Sequence, residues 1–134
     1  MNITIDHKMT ATARKLVRTR PELENVKDSD VRFTVLASDQ EKKKDRKMVF
    51  GECEKVPEKY KWKMPYDFLI YIYTPNCDGF TQKQYEILLL HELMHIGVDL
   101  SGKEPGYYIV PHDIEDFWKI IQEFGWDWQV KADG

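Results

Sequence analysis

The sequence has no apolar run approaching the about 18 residues that a membrane-spanning helix needs. It also lacks any CxxC pair, and the N-terminal MNITIDHKM shows no basic region leading into an apolar one. The first absence argues against a transmembrane segment. The second removes zinc ribbons and thioredoxin-like redox motifs. The third argues against a secretory signal and, with it, an oxidising destination. The two cysteines, Cys53 and Cys77, therefore read as free thiols in a reducing, cytoplasmic setting, with a disulfide between them as the alternative. Charge of one sign is scarce as well: the formal net charge is -3, too mild to draw in nucleic acid or to keep the chain unfolded. Internal repeats, low-complexity tracts and linkers are absent. What is present is a 42% hydrophobic and 13% aromatic composition over 134 residues, enough for one domain spanning 1–134, with a short tail from about residue 129.

Periodicity predicts an α+β unit: a helix first, a short and mostly antiparallel sheet next, then two helices. Met9, Ala13, Leu16 and Val17 mark a helix from 9 to about 20, stopped near Pro21. Val31–Ala37 alternates as a strand, and the charged run 41–47 (EKKKDRK) reads as a solvated hairpin loop, with a phosphate-binding patch as the lesser alternative. Lys47–Val56 returns as a second strand, and 57–64 is a loop or short edge segment. Asp67–Tyr73 (DFLIYIY) carries the strongest strand signal. After the turn cluster 74–80, Thr81 and Gln84 form a capping-box pattern opening a helix expected to reach about Val98. Residues 101–106 read as a loop. Pro111 is expected to open a last helix that ends near Phe124, with Gly125 as its stop.

The third helix carries His91-Glu92-Leu93-Met94-His95. Residues four apart on a helix differ by about 40° in azimuth and about 6 Å in rise, so His91 and His95 can close on one ion. Glu92 lies one step round, where it can hydrogen-bond a water on that ion rather than ligate it. Three such fixed positions arise by chance on the order of a few times in a thousand chains of this length. A run as apolar as EILLLHELMHIGV also has no use for two histidines and a glutamate unless something pairs them.

A catalytic zinc needs a third protein ligand and an open position. Asp99 is disfavoured because it would lie about 12 Å from His91 along a straight helix. The metzincin pattern fails too, since Val98 and Ser101 stand where it requires glycine and histidine. The remaining candidates lie in PHDIEDFW at 111–118: His112 first, with Asp113, Glu115 and Asp116 behind it. Glu115 or Asp116 could instead orient an imidazole. His7 has no spacing partner and reads as a surface residue. Tyr107 and Tyr108 are the nearest hydroxyls for an oxyanion, each with packing as its plainer role. Trp126 and Trp128 read as a tail tucked onto the core or, alternatively, as an exposed aromatic patch.

HELMH, a short loop and PHDIEDFW together resemble the compact zincins of the SprT-like and minigluzincin type, and the metallopeptidases of phages most of all. The likeness covers about residues 67–125. It implies a zinc peptidase with His91, His95 and His112 as ligands, Glu92 as general base and Asp67–Tyr73 as a sheet strand bordering the cleft. Without a CxxC pair the zinc ribbon of many SprT-like proteases is missing, so their DNA-linked role does not carry over. The expected partner is a peptide or protein substrate, added as a strand along an open edge near Leu69–Tyr73 unless that strand is interior and covered on both sides, with no nucleic acid and no membrane. Two other readings stand beside this one: a zinc hydrolase of a non-peptide amide or cell-wall fragment, and a metal-stabilised protein-binding module without catalysis.

Overall fold

The computed structural model describes residues 2–112, 117–125 and 128. Strand β1 (Ile3–Ile5) leads into α1 (His7–Thr19), which Asp6 caps by accepting a hydrogen bond from the Met9 N–H at 2.8 Å. Thr10, Ala13 and Val17, spaced at three and four, form the buried side of α1. The helix ends at Thr19 because Arg20 precedes a proline and takes an extended backbone. A single 3-10 turn at Pro21–Leu23 and the short α2 (Glu24–Asp28) follow, seating Leu23 and Val26 in the core.

Next comes β2 (Phe33–Ser38), then a two-residue pairing of β3 (Lys43–Lys44) with β4 (Lys47–Met48). Asp45 and Arg46 turn this hairpin with φ of 53° and 66°, the backbone that two-residue hairpin loops require. The charged run is therefore the exposed hairpin that its composition suggests. Strands β5 (Gly51–Lys55) and β6 (Phe68–Tyr73) complete a four-stranded sheet in the order β1-β2-β6-β5. Its β1–β2 and β5–β6 pairs are antiparallel and its β2–β6 pair is parallel.

Side chains alternate across a strand, so register decides what faces the helices. Phe33, Val35, Phe68, Ile70 and Ile72 join Ala13, Val17, Leu88, Leu89 and Leu93 in one core. Gly51 and Cys53, paired with Ile72 and Ile70, lie on that same face of the sheet. One expectation is corrected at this point. The strand at 68–73 is central, paired to β2 on one side and β5 on the other, so it offers no open edge for a substrate strand. β5, not β6, is the edge strand on that side of the sheet.

Helix α3 (Gln82–Leu93) starts as expected, with the full capping box between Thr81 and Gln84. It ends at Leu93 rather than near Val98, a second correction. The Met94 N–H still bonds to the Leu90 carbonyl, but the His95 N–H tightens to Glu92, three residues back, and the chain leaves as a strand. That strand, β7 (Ile96–Asp99), pairs antiparallel with β8 (Gly106–Ile109), a hairpin not foreseen from the sequence. The last described helix, α4, spans Trp118–Phe124 and stops at Gly125 with φ of 85°. Pro111 and His112 are not helical, so the expected helix start at 111 is corrected. Among the described residues no helix is long and apolar enough to cross a membrane.

Candidate metal centre

His91 comes from the last turn of α3, where it is 8% exposed, while His95 lies two residues beyond the end of that helix. His112 arrives from the far side of the β7–β8 hairpin. One ligand atom from each of these three residues falls within 4.8 Å of the others. His91 Nε2 and His112 Nε2 stand 2.8 Å apart, and the His95 and His112 ring centres are separated by 4.4 Å. Two ligands at a Zn–N distance of about 2.0–2.1 Å and a tetrahedral angle lie about 3.3 Å from each other, so a small outward adjustment admits an ion. Phe117, buried, is edge-on to all three imidazoles at 5.1–5.4 Å between centres and backs the cluster with hydrocarbon.

The β7–β8 hairpin is what positions His95. Its carbonyl accepts from the Val110 N–H at 2.7 Å, and its Nδ1 lies 2.6 Å from the Val110 carbonyl. A carbonyl can only accept, so Nδ1 carries the proton and Nε2 keeps its lone pair for a metal. Val110 was not foreseen, and no side-chain pattern could reveal it, because the contact is made by its backbone. The chemistry of the donor set, three imidazoles with one tautomer already imposed, fits a divalent transition metal.

Glu92 is 3% exposed on the same turn of α3. Its carboxylate faces the edge strand at Gly51, where a Cβ would sit 3.2 Å from Glu92 Oε2 and 3.0 Å from the Tyr71 carbonyl oxygen. Gly51 is thus a second residue of the site that was missed. A glycine inside a strand pattern does signal such close approach, without saying to what. The cleft between β5 and α3 measures about 180 Å³ and is lined by Phe50, Gly51, Leu88, His91, Glu92 and Trp128 among others. Nearby, Cys53 is pushed well above the usual thiol range, by burial first and then by the charges of Glu92 and Glu54. No disulfide links Cys53 and Cys77.

The other candidates fall elsewhere. Asp99 is exposed on β7 and accepts from the Ser101 N–H at 2.9 Å. His7 is exposed at the start of α1, as expected of a surface residue. Tyr107 packs edge-on against Phe68 at 5.7 Å, with Lys61 Nζ 5.0 Å from its ring centre. Tyr108, half exposed, lays its ring over Gly97, its partner in the hairpin. Trp128 is buried, its ring centre 6.5 Å from that of His91, and its carbonyl accepts from Gln84 Nε2 at 3.1 Å. The tucked-tail reading holds for this residue. Asp113, Glu115, Asp116 and Trp126 lie outside the described residues.

Fold and site together define a small α+β domain with a three-histidine candidate metal centre, beside a buried glutamate, at the edge of a mixed sheet. Over residues 1–133 the chain matches the family described as "putative phage metallopeptidase", and it belongs to that family. Neither the curated proteins nor the solved structures contain a match to it.

Proposed function

We propose that the protein is a zinc-dependent peptidase of the compact zincin kind, with His91, His95 and His112 as metal ligands and Glu92 as general base. The observation that carries this reading is the convergence of His112 on the HExxH pair from the other side of a hairpin, with ligand atoms within 4.8 Å. Held by His91, His95 and His112, zinc would supply Lewis acidity, acidifying a water from a pKa of 15.7 to about 7 and polarising a carbonyl.

The protein's own residues then have separable tasks. Glu92 takes the proton of the attacking water and passes it to the leaving amine. Its burial against Gly51 keeps the carboxylate in one place, so little reorganisation is needed at the moment of transfer. The Val110 carbonyl holds His95 in the ligating tautomer. Tyr108 is the hydroxyl proposed to stabilise the oxyanion. An extended peptide would add along β5, which borders the cleft and pairs only with β6 among the described residues.

Zinc analysis together with a peptide-library digest tests this reading. Wild type and Glu92→Gln should both carry zinc in a near-equimolar amount, while Glu92→Gln loses at least about 10²-fold in hydrolysis. His112→Ala should lose most of its metal. Full activity in Glu92→Gln, or undiminished zinc in His112→Ala, would overturn the assignment of that residue.

A further inference from the structure

The outward face of α1 presents His7, Ala11, Arg14 and Arg18 at steps of four, three and four, away from the Thr10–Ala13–Val17 side that enters the core. Two concavities of about 400 and 360 Å³ lie along this face and share Arg14, Arg18 and Tyr66 as walls. The larger is closed by Lys27 and Arg32 and floored by the buried side chains of Val17, Val26, Val31 and Phe33. Neither shares a lining residue with the histidine cleft.

The charges here are unbalanced. Four cations line the larger concavity, with Asp30 the single acid among its lining residues. Arg32 is committed to Asp67, its guanidinium 3.2 Å from the carboxylate. Arg14, Arg18 and Lys27 have no carboxylate partner among the described residues. In a chain of net charge -3, this is a local concentration of positive charge over an apolar floor.

We propose that this groove is a binding site, separate from the metal centre, for an acidic peptide segment that carries an apolar side chain. The two arginines suit carboxylates, which their planar forks grip bidentately. The valine and phenylalanine floor suits an aliphatic or aromatic residue between the acids. A nucleic-acid backbone fits less well: it calls for an extended cationic track with several aromatic stacking platforms, and among the described lining residues the aromatics are Tyr66 and Phe33, the latter buried in the floor.

Fluorescence anisotropy with a labelled ten-residue peptide of alternating Glu and Leu tests the site, using Glu92→Gln protein and checking the peptide for integrity. The controls are the same peptide with Gln for Glu and an oligothymidylate of ten nucleotides. The Glu-Leu peptide should bind, weaken with added salt, and lose about tenfold or more in affinity in an Arg14→Gln/Arg18→Gln variant. His112→Ala should leave this binding unchanged, which separates the groove from the metal cleft. Glutamine is nearly as good a helix former as arginine, so α1 is kept, and circular dichroism verifies it. Equal affinity in the double arginine variant, equal binding of the Gln-Leu peptide, or preference for the oligonucleotide would each overturn the proposal. Binding lost only in His112→Ala would place the peptide in the cleft and overturn it too, leaving the peptidase reading untouched.

Discussion

At the scale of single residues, the site turns on atoms that allow almost no substitution. Gly51 lies where any Cβ meets the Tyr71 carbonyl at 3.0 Å and Glu92 Oε2 at 3.2 Å. The backbone carbonyl is held in the sheet and cannot retreat, so the Glu92 side chain must. Gly51→Ala should therefore lower peptidase activity by about tenfold or more, since a displacement near 1 Å can cost 10²-fold. Unfolding in urea should show a smaller penalty, about 1 kcal/mol, from the local overpacking. Activity equal to wild type would mean that Glu92 does not depend on this contact. Gly97 is also close-packed, against the Tyr108 ring, but that ring is half exposed and free to swing outward.

At the scale of elements, α3 is a helix buried on nearly every side, so its ends rather than a polar face define its limits. The N-terminal limit was legible in the sequence, because the capping box is a local pattern of two side chains, Thr81 and Gln84. Thr81→Ala should cost about 1 kcal/mol of stability in denaturant unfolding. The zinc content should stay unchanged, because the histidines lie at the opposite end of the helix; a loss of zinc would show that α3 frays as a whole. The C-terminal limit was not legible. Gly97 within Ile96-Gly97-Val98 can break a helix, but the apolar run continues past it, and the pairing of β7 with β8 is what makes it a strand. The same pairing delivers His112, so the unforeseen hairpin and the third histidine are one structural event. For the central position of β6 the signal was present, since a continuous apolar run suits a strand paired on both sides. Which strand became the edge was decided by β5.

At the scale of the molecule, the three histidines tie together parts of the chain that local structure leaves separate: the end of α3, the turn after it and the segment beyond β8. A metal bound there favours the folded state, because the unfolded chain does not hold the three imidazoles together. Zinc in excess, at about 100 times its Kd, should add about 2.7 kcal/mol to the unfolding free energy and raise Tm by several degrees. Chelation should reverse the shift and remove hydrolysis, and restored zinc should recover both. A Tm indifferent to zinc, measured by calorimetry, would argue against a centre of this affinity. The molecule also keeps two differently built surfaces apart, the histidine cleft at the β5 edge and the cationic groove beside α1.

The amino-acid sequence by itself determined the α+β class, the start of α3 and the candidacy of His91, Glu92 and His95, because each rests on patterns of residues close along the chain. The HExxH pair needs only helical spacing, and the capping box only three residues of separation. Tertiary structure alone decided that the helix stops at Leu93, that β6 is central, and that Gly51 and the Val110 carbonyl support Glu92 and His95. These features depend on strand pairing and on backbone atoms. Every residue carries the same backbone donor and acceptor, so side-chain identity does not announce which of them the fold will use.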